Sequence, residues 1–262
     1  MGRAEATAWI GPFAQSNYSK KKAGEKMWNN YLDLAVFHWL GQFTMVSAHF
    51  NQVMRYISGS DLAKGFPIMG ILWFFWFRDT DPKSNTRRII IATLVGCLAA
   101  IVVARVTNNL GPFQPRPMAN AALPHLPYAG LAPPEHQALY IWNSFPSDHA
   151  AMFFSLAAGI FLISRALGSL VSVYVMLFIA MPRVYLGLHY MTDILAGGLL
   201  GVACVALVTR DSVAALYEPQ CMRLLEKYPA AFQTVLFLAC MEMSKMFYDV
   251  RHLLEGIAKY AH

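Results

Sequence analysis

Charge is what this sequence is short of. Only 14% of its 262 residues are Asp, Glu, Lys or Arg, against 56% hydrophobic, where soluble domains carry roughly 25% charged residues. That scarcity excludes a disordered or collagen-like chain and argues against a soluble single domain. Cysteine is scarce too. Cys97, Cys204, Cys221 and Cys240 form no CxxC pair and no metal-ligand spacing, which excludes a disulfide scaffold, a zinc site of that kind and a dithiol redox motif. They read as small apolar packers. Also missing are an internal repeat, a low-complexity tract and the basic, apolar, small-residue pattern of a cleaved signal peptide. Residues 1–30 are polar, and the first long apolar stretch begins near Leu32, so targeting falls to the spans themselves.

What is present is a series of uncharged runs, between Asp33 and Arg55, Lys64 and Arg78, Arg88 and Arg105, His149 and Arg165, Arg165 and Arg183, and Asp193 and Arg210. An apolar helix needs ~17 to 25 residues to cross a hydrocarbon core, and Lys or Arg at its ends can snorkel to lengthen the effective span. The runs predict an all-α, polytopic membrane bundle of about six transmembrane helices. The first run contains His38, Gln42, His49, Asn51 and Gln52, so a helix lying along the interface is nearly as good a reading there as a crossing, and whether residues 31–58 cross stays open. The domain organisation expected is a polar basic segment over 1–30, a membrane domain over 31–210 and a C-terminal segment over 211–262.

If the first run crosses, both termini and the short loops near Arg78 to Arg88 and at Arg165 share one face. That face then holds sixteen of the twenty-one Lys and Arg residues, and the positive-inside rule makes it cytoplasmic. The net charge of +6 thus reports topology, and no nucleic-acid partner is needed to explain it. An inner-membrane protein with its motifs facing the outside is the expected localisation. The longest outer connection, from about Leu110 to Ser147, contains Pro112, Pro115, Pro117, Pro124, Pro127, Pro133, Pro134 and Pro146, so it cannot be one helix and reads as a functional cap or lid. After Arg210 the chain mixes apolar and charged residues. Glu242, Lys245, Asp249, Arg251 and Glu255 alternate in sign, which suits an amphipathic interfacial helix or a subunit contact in a homo-oligomer, with residues 228–248 either crossing or lying on the bilayer.

Three clusters stand at the outer ends of the expected spans: Pro115-Arg116-Pro117, then Pro146-Ser147-Asp148-His149, then Arg183 with His189 and Asp193. Each alone has an ordinary reading as a cap or an interfacial anchor. Together they have a chemistry. On a helix starting near Tyr185, His189 and Asp193 are four residues apart and share a face, so the carboxylate can hold Nδ1–H and leave the other ring nitrogen as a nucleophile toward phosphorus. Ser147 or Asp148 would cap a helix whose N-terminus welcomes a phosphate, with His149 in its first turn placed to protonate a departing oxygen. Arg116 and Arg183 supply guanidinium forks for phosphoryl oxygens. No metal-ligand cluster accompanies them, so a metal-free covalent route without a cofactor is expected.

The set PRP, SFPSDHA and RVYLGLHYMTDILAG resembles the type-2 phosphatidic acid phosphatase superfamily, whose signature is KxxxxxxRP, PSGH and SRxxxxxHxxxD. The spacing of Arg183, His189 and Asp193 matches the third motif. The resemblance implies that His189 forms a phosphohistidine, Asp193 orients it, and His149 protonates the leaving group, while Arg116, Ser147 and Arg183 bind phosphate. Asp148, where many members have Gly, resembles the PSDH variant of the undecaprenyl-pyrophosphate phosphatase branch. It is placed with the phosphate-binding set, and it implies a polyprenyl pyrophosphate substrate. Two positions depart from the pattern. Asn109 stands where the family has Lys, with Arg105 one turn earlier as a candidate to reach in, and Pro182 replaces the Ser before Arg183.

A membrane lipid phosphatase acting at the outer face is therefore the expected function. The alternatives are a phosphotransferase passing the same group to a lipid or glycan acceptor, and a non-catalytic lipid-pyrophosphate-binding partner motivated by Asn109 and Pro182. A soluble haloperoxidase shares the motifs but not the apolar runs. Vanadate, a phosphate mimic, is expected to inhibit.

Overall fold

The computed structural model describes residues 30–44, 47–79, 85–120, 142–250 and 253, and every regular element among them is helical. The expected N-terminal segment, residues 121–141 of the proline-rich connection and the end of the chain lie outside these residues, apart from Asn30 and Leu253. The order is α1 (Tyr31–Thr44), α2 (Ala48–Gly59), α3 (Asp61–Lys64), α4 (Phe66–Arg78), α5 (Thr86–Leu110), a 3-10 turn over Pro117–Ala119, α6 (Asp148–Ile163), α7 (Arg165–Tyr185), α8 (Met191–Val208), α9 (Asp211–Lys227) and α10 (Pro229–Ser244). Serine sets several of the boundaries. The hydroxyls of Ser47, Ser60, Ser147 and Ser164 accept from backbone N–H groups three residues on, which stops the preceding segment and starts α2, α3, α6 and α7.

Among the described residues three helices are long and apolar enough to cross a membrane: α5, α7 and α8. At 1.5 Å per residue they rise about 27 to 37 Å. α4 and α6 are shorter apolar helices. The first expected crossing is not one helix, because the segment breaks between Thr44 and Ala48, and 12 or 14 residues rise only about 18 to 21 Å, short of the hydrocarbon core. α7 is interrupted by a π-helical turn over Val175–Ala180. The wider turn lies directly before Pro182, which has no N–H to give to the preceding turn.

The centre is α5, α6 and α8, brought close by small residues. A Cβ on Gly197 would stand 2.3 Å from the carbonyl oxygen of Ser147, and one on Gly201 would stand 2.2 Å from that of Ala151. Neither position accepts a side chain, which is how membrane helices gain van der Waals contact without a hydrophobic driving force between them. Ala100, Ala104 and Ala151 are buried in the same seam.

Two packing contacts correct the expected topology. Asp33 at the start of α1 bonds Thr192 at the start of α8, and Phe50 and Asn51 of α2 meet Tyr185, so α1 and α2 both cap the end of the bundle where α7 ends and α8 begins. The carboxylate sits at the positive end of α8, which draws α1 there. α10 runs back along α4, with Phe232 stacked on Trp76 at one end and Ser244 against Gly65 at the other. The first described helix and the end of α10 therefore share the face that carries the motifs, and the expected placement of the start of the first run, at Asp33, on the opposite face does not hold.

Candidate active site

The site is built from loops whose shape is locally encoded. Arg116 lies between two prolines in an extended conformation (φ −63, ψ 150) and caps the 3-10 turn that Pro117 starts. That turn is tied to the next motif by Met118 N–H, which donates to the Gly187 carbonyl at 3.0 Å. Gly187 has φ 68, the left-handed conformation that lets the chain reverse after α7. The reversal brings Leu188 N–H to the Arg183 carbonyl at 2.9 Å and delivers His189 to the mouth of α8.

His189 and Asp193 come together, but not as residues four apart on one helix. α8 begins at Met191, so His189 precedes it, while Asp193 is in its first turn and closes a capping box with Tyr190. The His189 Nδ1 to Asp193 Oδ2 distance is 3.5 Å. The shorter contact of Nδ1, 3.0 Å, is to the backbone carbonyl of Ser144. A carbonyl only accepts, so Nδ1 carries the proton and Nε2 keeps a lone pair. Arg116 Nη1 stands 3.4 Å from that Nε2 while donating to the Leu188 carbonyl at 2.8 Å. Burial holds the His189 imidazole below its ordinary pKa, and the Arg116 charge lowers it further against the pull of Asp193, so the ring is neutral and nucleophilic near pH 7.

Asp193 is the hub. Its Oδ2 accepts from Ser144 Oγ at 2.5 Å and from Tyr190 N–H at 2.8 Å, and its Oδ1 accepts from Gln114 Nε2 at 3.4 Å. Its own carbonyl accepts Ser147 N–H at 3.2 Å, which joins the second and third motifs. Asn143 fixes the strands of this knot by donating to the carbonyls of Asn108 and Pro112, both at 3.0 Å, and by accepting Gln114 N–H at 3.0 Å.

In the second motif Ser147 is the cap of α6, accepting Ala150 N–H at 3.4 Å. Asp148 bridges two partners: Arg105 Nη2 at 2.5 Å and His149 Nδ1 at 2.9 Å. Arg105 thus does reach in, and its contact is a carboxylate. Asp148, placed by sequence with the phosphate-binding residues, is an acceptor that holds His149 and Arg105, since a carboxylate and a phosphate repel. Asp148 is within electrostatic reach of His189, Arg116 and Arg183 as well, so both imidazoles and both guanidiniums border one region. Asn109 is exposed and is not brought to it.

The Nε atoms of Arg116 and Arg183 are buried and have no hydrogen-bond partner in the structure. An unmet guanidinium N–H in a buried site costs energy unless an anion satisfies it, and a tetrahedral oxyanion matches that need. Burial lowers the Arg116 pKa, opposed by Asp148 and Asp193. Among the described residues no three His, Cys, Asp or Glu side chains cluster as metal ligands.

Sequence reasoning missed Gln114, Asn143 and Ser144, whose partners are distant in the chain, and it used Asp33 and Lys64 only as ends of apolar runs. Asp33 accepts Thr192 N–H at 3.0 Å and Thr192 Oγ1 at 2.7 Å, bracing the α8 N-terminus. Beside it Asn120 Nδ2 donates to Tyr190 Oη at 2.9 Å and Phe37 packs edge-on against the Tyr190 ring. The available signal was a lone ionisable group in an apolar segment, which is costly there and marks a site by default.

Residues 113–216 match the PAP2 superfamily. The chain is 26% identical over 196 residues to the bacitracin transport permease protein BcrC of Bacillus licheniformis, covering 75% of this chain and 88% of the relative. It is 30% identical over 139 residues to the lipid A 1-diphosphate synthase of Escherichia coli (strain K12), covering 50% of this chain and 54% of the relative. Among solved structures it is similar to Aquifex aeolicus LpxE (21% identity, 70% of this chain and 98% of that chain, TM-score 0.47). It is also similar to a transmembrane PAP2 type phosphatidylglycerolphosphate phosphatase from Bacillus subtilis (15% identity, 78% and 88%, TM-score 0.29). With three helices of spanning length among the described residues, this is an integral membrane protein of helical type.

Proposed function

We propose that the PAP2 superfamily domain which this chain carries over residues 113–216 is a lipid phosphatase that hydrolyses a polyprenyl pyrophosphate of the undecaprenyl type, or a related lipid phosphate, through a phosphohistidine. The observation that carries the reading is the His189 ring, with Nδ1–H given to the Ser144 carbonyl and Nε2 beside the Arg116 guanidinium. In the first half-reaction Nε2 attacks phosphorus, a P–N bond forms and the bond to the leaving oxygen breaks. His149, whose Nδ1–H is held by Asp148, enters as the imidazolium, a form that burial opposes and that the Asp148 carboxylate and the anionic substrate favour, and it gives the leaving oxygen its Nε2 proton. Arg116, Arg183 and Ser147 hold the three remaining phosphoryl oxygens and the charge that builds on them. In the second half-reaction His149 takes a proton from water, which attacks phosphorus and releases inorganic phosphate and neutral His189. The histidine route asks for no metal.

The orientation proposed places the site on the outer face of the inner membrane. The opposite end of the bundle collects Arg78, Arg87, Arg88, Arg165, Arg210, Arg223 and Lys227, whereas most described cations of the site end belong to the site. Release of phosphate from long-chain polyprenyl pyrophosphate by the detergent-purified protein, with a covalent phosphoryl group trapped on His189, tests the reading. Absence of both would leave a lipid-pyrophosphate-binding partner. Phosphotransfer is the second reading, favoured by the similarity to a protein named as a lipid A 1-diphosphate synthase. It predicts little free phosphate when an acceptor lipid is supplied.

A further inference from the structure

Lys64 is the last residue of α3 and is buried, only 6% exposed. Its ion-pair partner is Asp61 at 3.2 Å, one turn earlier, with a side chain 41% exposed. A pair three residues apart gains little and gains it equally well in water, so the local pair does not explain why the ammonium is buried. Tertiary contacts do. The Ala63 carbonyl accepts the hydroxyl of Tyr174 on α7, and Gly65 is pressed so closely on α10 that a Cβ would stand 2.5 Å from the Ser244 carbonyl oxygen. Lys64 is thereby fixed beside the helix that carries Arg183.

The charges have an order. Arg116 and Asp193 act most on His189. Arg183 interacts with Arg116 on one side and with Lys64 on the other, and Lys64 acts on His149. Buried beside α7, Lys64 is thus within electrostatic reach of Arg183 and of His149, the group that protonates the leaving oxygen. In a lipid diphosphate that oxygen belongs to a second phosphate, which stays on the lipid and carries its own negative charge. In a lipid monophosphate it is bonded to carbon and brings no further charge.

We propose that Lys64 binds the phosphate retained by the lipid, and so makes the site select a lipid diphosphate over a lipid monophosphate. This rests on the phosphoryl-transfer reading of His189 and His149. A lysine suits the task because its ammonium is a point charge on a flexible stem that can be shared between Asp61 and the retained phosphate. Burial, and after it the Arg183 charge, lowers the Lys64 pKa against Asp61, a cost that a second anion would offset.

The test compares phosphate release from farnesyl diphosphate and farnesyl monophosphate by the full-length protein in detergent, for wild type, Lys64→Met and Lys64→Arg. Lys64→Met should lower kcat/KM for the diphosphate by roughly tenfold to a hundredfold, the range of a lost charge-assisted hydrogen bond. The monophosphate should change by less than about threefold, and Lys64→Arg should restore most of the loss. Equal losses on both substrates, or none on the diphosphate, overturn the proposal. If the variants do not fold, wild type decides by inhibition, with farnesyl methylenediphosphonate expected to bind at least about tenfold more tightly than farnesyl phosphonate and equal binding counting against Lys64. A wild type that releases no phosphate from either substrate removes the catalytic reading, while the same two phosphonates, measured by direct binding, still test Lys64.

Discussion

The two ends of this helix bundle hold their cations in opposite ways. At the far end Arg87 lies over the Trp76 ring at 5.4 Å, Lys227 over Tyr228 at 5.1 Å, and Arg88 meets Glu218 at 3.0 Å with half of its side chain exposed. Each is held by one neighbour, and such contacts are worth ~1 kcal/mol or less near water. At the site end Arg116, Arg183 and Lys64 are buried, and two of the three keep an unmet N–H. Charge at the far end sits near water and on aromatic rings, as interfacial cations do. Charge at the site end is buried with donors unmet, a cost that the anion proposed above would offset.

Removing the nucleophile should separate the ends most sharply. His189→Ala is expected to lower phosphate release by at least about 10³-fold, as loss of a covalent catalyst does, and to abolish protection by vanadate against thermal unfolding. Residual release within tenfold of wild type would sink the phosphohistidine route. Asp193→Ala comes next, because it strands the Ser144 hydroxyl, the Tyr190 N–H and the Gln114 amide. A stability loss of roughly 3 kcal/mol or more is expected together with lost activity, read by thermal unfolding in detergent. At the other end Trp76→Ala should cost a similar ~3 to 5 kcal/mol through lost packing while leaving the kcat/KM of the folded fraction within about twofold.

The acid limb of activity gives a finer test. His189 must be neutral to attack, and burial and Arg116 both disfavour its protonated form. Activity should therefore persist below the ordinary imidazole value of about 6.5 and fall only as pH drops through the lowered pKa. Arg116→Gln removes one of the two causes, so the limb of kcat/KM should move to higher pH, and a limb that stays in place would show that Arg116 does not act on the ring. The smallest effect expected is at Asn109. The side chain is exposed, so Asn109→Lys should change kcat/KM by less than about twofold. A gain of tenfold would mean that the position reaches the phosphate after all.

Much of the site was legible because its motifs are local. Pro115 and Pro117 set the backbone around Arg116, and Ser147 caps α6. The serines at 47, 60 and 164 mark helix starts in the same way. The split of α1 from α2 was not legible, since a run of uncharged residues does not reveal a break between two short helices. The tautomer of His189 was not legible either. Spacing nominated Asp193 as its partner, whereas the carbonyl of Ser144, a group every residue possesses, makes the closer contact.

The sequence by itself determined that the chain is an apolar helical bundle and that imidazoles and guanidiniums stand at its helix ends, because periodicity, caps and charge scarcity act within a few turns of chain. Only the tertiary structure decided that Asp33 braces α8, that α10 returns along α4, and that Lys64 is buried beside α7. Those contacts join residues more than a hundred positions apart, where what matters is which surfaces pack together, and no local pattern carries that information.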